Sequence, residues 1–413
     1  MRILAEGIAV SNDTRETGLN NNTLIIGSSG SGKTRSFVIP NILAAEGSVV
    51  VTDTKGDLCD TCRKRLERRG YRVLCIDFSD CAQSQVGYDS LEYVRMIDDK
   101  PYEQDILSIA ASLCPIESQE PFWDYAAREL MSSMIAYAVT CLPPEEANMV
   151  SVCKLFDLIP DGRYEKLLDQ IKAEDPGAFC VRQYSSTRAA KDADKMIGSI
   201  RGIVGAKLAQ YRFDGVTHLS TMSNRIYFES LRREKTALFV NVSDTDRSLD
   251  RMVALFFEQL FRSLINSKER NSEPFYPVHV IMDDFACGCP IGHFDNIISV
   301  IRSRGIYASA IVQSITQLET LYGARAATIM ENCDTVLYLG GNDVGTARWI
   351  GERANKPAHN ILTMPVEDAL LLQRGKAARK VRRYRMEKHH EPGSREPGSR
   401  RKEAETENEG ICV

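Results

Sequence analysis

Short apolar runs rich in valine and isoleucine recur along the chain in two blocks, separated by stretches whose apolar positions fall at helical spacing. The first block has runs at 24–26, 48–52 and 72–76, with helical patterns near 33–45 and 57–69. The second has runs at 237–242, 278–282, 307–312 and 335–339, with helical patterns near 249–266, 294–302 and 325–332. This β-α-β spacing predicts parallel strands joined by right-handed crossovers, with helices covering both faces of the sheet. The runs are apolar throughout, which suits strands buried on both sides. Between the blocks the pattern turns helical, with a long amphipathic helix over 122–140, further helices near 151–157, 165–173 and 189–210, and no convincing strand. The expectation is an α/β fold, a parallel sheet flanked by helices, with an inserted all-α domain. The nucleotide-binding parts would be 1–101 and 223–387, the helical domain 102–222, and the tail 388–413.

Length and composition fit this picture and narrow it. At 413 residues the chain can bury two ordinary cores, and 43% hydrophobic with 26% charged residues is the balance of a globular protein. No apolar run approaches the roughly 18 residues of a membrane span. The longest, 134–142, reads as a core helix, and Met1-Arg2-Ile3-Leu4-Ala5-Glu6 lacks signal-peptide architecture. The 12 cysteines are expected to stay reduced. Cys59-x-x-Cys62 with Cys75 and Cys81, and Cys287-x-Cys289, invite a zinc reading, but structural zinc wants four convergent ligands and usually two knuckles. His389-His390 reads as a solvated tail feature.

The net charge of −4 conceals an asymmetry: from Arg374 to Met386 there are seven basic residues and no acid. That run is either a solvated strand or tail face, or a patch that contacts phosphate. Beyond it, Glu-Pro-Gly-Ser-Arg occurs at 391–395 and again at 396–400, a composition typical of disorder.

The chemistry concentrates where the first apolar run ends. Gly27-Ser28-Ser29-Gly30-Ser31-Gly32-Lys33-Thr34 is a complete G-x-x-x-x-G-K-T loop between a strand and a helix. Glycines let such a loop curl so that free N–H groups at the helix start converge on a phosphate. Lys33 would reach the β and γ oxygens, and the Thr34 hydroxyl would ligate Mg²⁺. ATP and Mg²⁺ are therefore the expected ligands. The partner motif is Asp283-Asp284 at the end of the run 278–282: Asp283 placed to serve the metal, Asp284 to act as general base, with Asp53 or Asp57 next in line. Gln313, closing the run 307–312, is placed to touch the γ-phosphate. Arg302 or Arg304, ahead of the same run, would supply an arginine finger to a neighbouring subunit or simply complement a helix C-terminus.

These residues, with others, resemble a known family. Asn20-Asn21-Asn22 through Thr34, Val38-Ile39-Pro40-Asn41-Ile42-Leu43 and Asp53-Thr54-Lys55-Gly56-Asp57 are similar to segments of type IV secretion and conjugation coupling proteins. So are Pro121-Phe122-Trp123-Asp124 with Ala126-Ala127-Arg128, and Phe239-Val240-Asn241-Val242-Ser243-Asp244. The likeness continues through Asp283-Asp284-Phe285-Ala286, Ile301-Arg302-Ser303-Arg304-Gly305-Ile306 and Gln313-Ser314-Ile315-Thr316-Gln317-Leu318 to Leu339-Gly340. It implies a RecA-like P-loop NTPase that hydrolyses ATP and works as a homo-hexamer at the cytoplasmic face of the inner membrane. Such a motor recruits relaxase-bound single-stranded DNA, or proteins, to a type IV secretion channel. The resemblance puts the catalytic lysine on Lys33, the metal ligands on Thr34 and Asp283, the phosphate sensor on Gln313 and the trans arginine on Arg302. Two departures stand out. Most relatives carry Asp-Glu where this chain has Asp283-Asp284, which implies slower hydrolysis. The family usually opens with transmembrane helices, which implies a missing membrane segment or a separate inner-membrane partner. Two alternatives stay open: a weakly hydrolysing ATP-gated adaptor, and a DNA pump of the FtsK/HerA kind. Arg182, Arg188, Lys191, Lys195, Arg201 and Lys207 give the helical domain scattered cationic positions for substrate.

Overall fold

The computed structural model describes residues 1–188, 193–270, 273–285 and 288–386, those at 188 and 193–196 by backbone alone. Ala286, Cys287, Lys191, His389-His390 and the tail from 388 lie outside the described residues, as do the side chains of Arg188 and Lys195. Nine strands form the central sheet: β1 Thr23–Ile26, β2 Ser48–Asp53, β3 Arg72–Asp77, β4 Thr236–Asn241, β5 Val278–Met282, β6 Ile306–Val312, β7 Thr335–Tyr338, β8 Asp368–Gln373 and β9 Arg379–Arg382. Their order across the sheet is β9-β8-β7-β1-β6-β5-β2-β4-β3. Strands β1 to β7 are mutually parallel, and each lies within one residue of its expected limits. The sheet is nonetheless mixed: β8 runs antiparallel to β7, and β9 to β8. For β9 the reason is connection length. Only a tight turn through Gly375, at φ +74°, joins β8 to β9, too short for the helical crossover that parallel strands require.

The helix after the P-loop departs from the single helix expected over 33–45. It opens as a π-turn, Thr34–Val38, and becomes α-helical only over Ile39–Leu43. Pro40 accounts for this. Its ring has no N–H to give the carbonyl four residues back and collides with it, so the preceding turn widens; the Ile39 N–H bonds Thr34 instead.

Successive strand residues point to opposite faces, so Ile25 serves one side and Leu24 and Ile26 the other. On the first face Phe37, Val38, Ile42, Leu58 and Leu66 bury against Ile25, Val51, Phe239, Ile281 and Ile311. On the second, Phe256, Phe257, Leu260 and Phe261 of the helix Asp250–Asn266 cover Leu24, Val50, Val240 and Val280. That second cluster continues without a break into Ile106, Ile109, Leu130, Met134 and Val152.

Every element described between Glu103 and Thr221 is helical. The helix Pro121–Cys141 was expected to be amphipathic, and it is not. Leu130, Met131, Ser132, Ser133, Met134, Ile135 and Ala136 are all buried, because this helix runs through the middle of its neighbours and has no wet side there. Asp124 anchors its start. The carboxylate accepts the Glu117 and Ser118 N–H groups and the Ser118 hydroxyl, each at 2.9 Å, and so holds the preceding loop.

Candidate nucleotide site

The P-loop sits at the C-terminal end of β1, in mid-sheet. Its base is sewn to both neighbouring strands: Gly27 N–H donates to Val312 at 3.1 Å and Ser28 N–H to Gly340 at 3.0 Å. The glycines do different work. Gly30 and Gly32 have φ of +75° and +80°, conformations that a side chain would strain. Gly27 has no such φ but lacks room, since a Cβ there would lie 2.3 Å from the Ser31 hydroxyl. Lys33 is buried and its Nζ donates to the loop's own Gly27 and Ser28 carbonyls at 2.8 and 3.3 Å. Those bonds hold the amine in the mouth of the loop. The Ser31 Oγ is buried there without a partner.

Strand β6 separates the P-loop strand from the carboxylate strand, and its parallel register brings their ends level. The Thr34 hydroxyl reaches across to the Asp283 carboxylate at 3.2 Å, although 249 residues part them in sequence. A hydroxyl and a carboxylate so placed are hard oxygen donors of the kind Mg²⁺ takes. Burial, then the neighbouring Asp284, holds the Asp283 carboxyl above its ordinary value, while Lys33 pulls it back down. Asp284 follows in a left-handed backbone conformation, φ +50°, which turns its side chain off the strand line. Gln313 Nε2 donates to Asp284 at 3.3 Å, so the sensor and base candidates meet at the end of β6.

Other candidates lie elsewhere. Arg302 is exposed in the short turn before β6. The seven residues of β6, a rise of about 3.3 Å each, put it roughly 23 Å from its own Gln313. It lies at the opposite end of the strand from the phosphate loop. Asp53 holds the following turn: its oxygens accept the N–H groups of Lys55, Gly56 and Leu58 at 3.1, 2.9 and 2.7 Å. Arg182 and Lys207 are ion-paired with Glu103 and Glu117 at 2.5 and 2.8 Å, so they are not free cations. Cys59 accepts a bond from Arg63, burial pushes the Cys62 thiol up to about 12, and Cys287 lies outside the described residues. Among the described residues no three His, Cys, Asp or Glu side chains gather as a metal site.

Beside the carboxylates opens a cavity of about 340 Å³ whose walls include residues the sequence reading missed: Thr52, Lys55, Arg247, Asp250 and Phe257. Thr52 Oγ1 donates to the Asp283 carbonyl at 2.9 Å, fixing the strand end that presents the carboxylates. One signal was available. Ligands of parallel sheets sit beyond the carboxyl ends of the strands, and Thr52 is the penultimate residue of β2, the strand next to β5. Nothing in the sequence pointed to Arg247.

A glycine-rich phosphate loop on a central parallel strand, facing a carboxylate strand one position removed, defines a P-loop nucleotide-binding α/β protein with RecA-like strand order. The chain belongs to the family of type IV secretory system conjugative DNA transfer proteins, whose model matches residues 5–356. Protein VirD4 of Rhizobium radiobacter is 22% identical over 338 residues, 80% of this chain and 47% of that protein. Protein VirD4 of Agrobacterium fabrum is 22% identical over 340 residues, 80% and 49% respectively. The chain thus spans about half the length of the curated relatives it matches. Among solved structures, the plasmid coupling protein TrwB in complex with ADP and Mg²⁺ shares the fold at a TM-score of 0.68 and 16% identity, over 92% of this chain and 89% of that one. VirB4 of Thermoanaerobacter pseudethanolicus does so at 0.57 and 13%, over 91% of each.

Proposed function

We propose that this chain is an ATP-hydrolysing coupling motor that delivers relaxase-bound single-stranded DNA to a type IV secretion channel. The observation that carries it is the approach of Thr34 to Asp283 at 3.2 Å beside a P-loop whose lysine is held in the loop mouth. Lys33 and the loop N–H groups bind the β- and γ-phosphates. Thr34 and Asp283 are the residues that would hold Mg²⁺, whose charge offsets that of the phosphate oxygens. Asp284 accepts the proton of the attacking water, and Gln313, already in contact with Asp284, reads whether a γ-phosphate is present. Arg302 stabilises transition-state charge in the neighbouring subunit of a homo-hexamer, a role its distance from its own site permits. The helical segment 102–222 receives the substrate. The working place is the cytoplasmic face of the inner membrane, reached through a membrane segment or partner, since no described helix is long and apolar enough to cross.

The test is turnover of ATP with and without single-stranded DNA, read beside native mass. DNA-stimulated hydrolysis by a hexamer is expected; Lys33→Ala should lower it by roughly 10²-fold or more. Mixed rings of Arg302→Ala and Lys33→Ala subunits should regain part of the activity that each lacks alone. A second reading, an ATP-gated adaptor that barely hydrolyses, is favoured by Asp284 alone, a short carboxylate already engaged by Gln313. Monomeric, DNA-indifferent binding of ATP would select the adaptor. Faster turnover in Asp284→Glu would identify the short side chain as the brake.

A further inference from the structure

The basic run near the C-terminus divides sharply once its side chains are placed. Arg374 pairs with Asp334 at 3.1 Å, Lys380 with Asp368 at 2.7 Å, and Arg382 and Arg385 with Glu367 at 2.8 and 3.1 Å. These are neutralised surface pairs. Arg383 is different. It lies just past β9, half-buried, and turns inward onto three carbonyls from three segments. Its Nη1 donates to Ser31 of the P-loop at 2.7 Å, its Nη2 to Leu339 after β7, and its Nε to Asp368 at 3.2 Å.

We propose that Arg383 is a positioning residue for the nucleotide: it clamps the crown of the P-loop to the antiparallel edge of the sheet and sets the loop in its phosphate-binding shape before ligand arrives. This rests on reading the P-loop as the nucleotide site.

Three observations support it. Ser31 lies between Gly30 and Gly32, both at positive φ, so the crown is the most pliable stretch of the loop. The loop's base is sewn to β6 and β7 by backbone bonds, whereas the crown is tied to the sheet edge through this guanidinium. Arg383 also has carbonyls as its only hydrogen-bond acceptors among the described residues, with no carboxylate in ion-pair contact. Burial holds this half-buried guanidinium below its ordinary value, and the Asp368 carboxylate offsets that only in part. An anionic triphosphate in the adjoining loop would add to the countercharge that Asp368 supplies. Preorganising a loop in this way removes an ordering cost from binding and leaves the chemical step alone. The fork matters too: three acceptors in three directions suit a guanidinium and not an ammonium.

The experiment measures dissociation constants for Mg–ADP and a non-hydrolysable ATP analogue, with kcat and KM for ATP, on the full chain. Arg383→Gln should raise both dissociation constants and KM about tenfold, the loss expected for one charge-assisted bond, with kcat at saturation within about twofold. Arg383→Lys should recover only part of the affinity. Arg382→Gln, a surface pair one residue away, should bind like the parent chain. A merely structural role would lower the melting temperature of Arg383→Gln and leave its KM alone. Unchanged affinity in Arg383→Gln, or a fall in kcat with affinity intact, overturns the proposal. If Arg383→Gln lost its cooperative melt, Arg383→Lys would decide by the same constants. Lys33→Ala separates this from the site assignment. If that variant binds nucleotide normally, the site reading fails; if it does not and Arg383→Gln is silent, only the clamp fails.

Discussion

The two faces of the sheet are built from different ranges of sequence. The P-loop face is covered by elements close in sequence to its strands: the helix after β1, the helix Leu58–Arg68 after β2, and the N-terminal hairpin of Arg2–Ala5 and Ile8–Val10. The opposite face has its own crossover helices, Asp250–Asn266 after β4, Phe294–Val300 after β5 and Ile315–Tyr322 after β6, and is further overlaid, through the first of them, by helices from the segment 103–221. Polar ties follow the same division. On the insert side Glu258, only 4% exposed, accepts the Ser108 and Ser112 hydroxyls at 2.9 and 2.5 Å while pairing with Arg262 at 2.9 Å. Glu117 bridges Lys207 of the insert and Arg251 of the motor helix at 2.8 and 2.7 Å. A face closed locally is secured by its own crossovers. A face overlaid by a distant segment needs, besides its crossovers, buried charged and hydroxyl contacts to fix which helix lies where.

The sharpest way to break this contrast is to remove the insert. A separate helical domain would come away cleanly, but the apolar cluster of this face is continuous with that of the insert. Replacing 102–222 by a short linker should therefore abolish a cooperative melt, read by circular dichroism. A folded, nucleotide-binding remainder would show instead that the faces are independent. Smaller in scale, Glu258→Ala leaves the Ser108 and Ser112 hydroxyls without their acceptor and Arg262 with only Ser108 and Asp105, and should cost about 2–3 kcal/mol in denaturant unfolding. A cost near zero would mean that the insert is held by apolar contact alone.

The third prediction has the opposite sign and belongs to the strand ends. The Asp283 carboxyl is raised above 3.8 chiefly by burial, so its ionised form costs folding free energy. That cost is absent below the unfolded value and grows as pH rises through the folded one. Asp283→Asn should thus melt higher than the parent at neutral pH without ligand, with the gap closing toward pH 4, while losing Mg²⁺-dependent turnover. A lower melting temperature at neutral pH would mean that the Thr34 contact outweighs burial. The smallest effect is expected at the wet edge. Arg382→Gln breaks an exposed pair with Glu367 at 2.8 Å and a longer one with Asp368 at 3.6 Å and should change stability by less than about 1 kcal/mol.

Legibility followed distance along the chain. The P-loop could be read because its phosphate donors come from consecutive residues, Gly27 to Thr34. Asp283-Asp284 could be read because an apolar strand ends in acids. Asp53 stands as an alternative base in the sequence, which cannot say that three backbone N–H groups of the following turn occupy its carboxylate. The helix Pro121–Cys141 looked amphipathic because its apolar positions recur at helical spacing. In the fold the Ser133 hydroxyl is buried in bonding distance of Tyr164 and Cys180. The C-terminal hairpin escaped notice although the run Ala369-Leu370-Leu371-Leu372 and the turn at Gly375 were both in view.

What the sequence determined by itself is the local chemistry and the rhythm of strands: a phosphate loop, a carboxylate strand, seven parallel strands and a helical interlude. Each of these is written in neighbouring residues, where backbone geometry turns residue type directly into shape. Tertiary structure alone decided which strand lies between the loop and the carboxylates, that Thr34 meets Asp283, and that Arg383 of seven basic residues closes on Ser31 across 352 positions. Those contacts depend on the order in which strands assemble and on which edge the last hairpin joins. Strand order is set by the burial of both faces at once, a property of the whole chain that no short stretch of it carries.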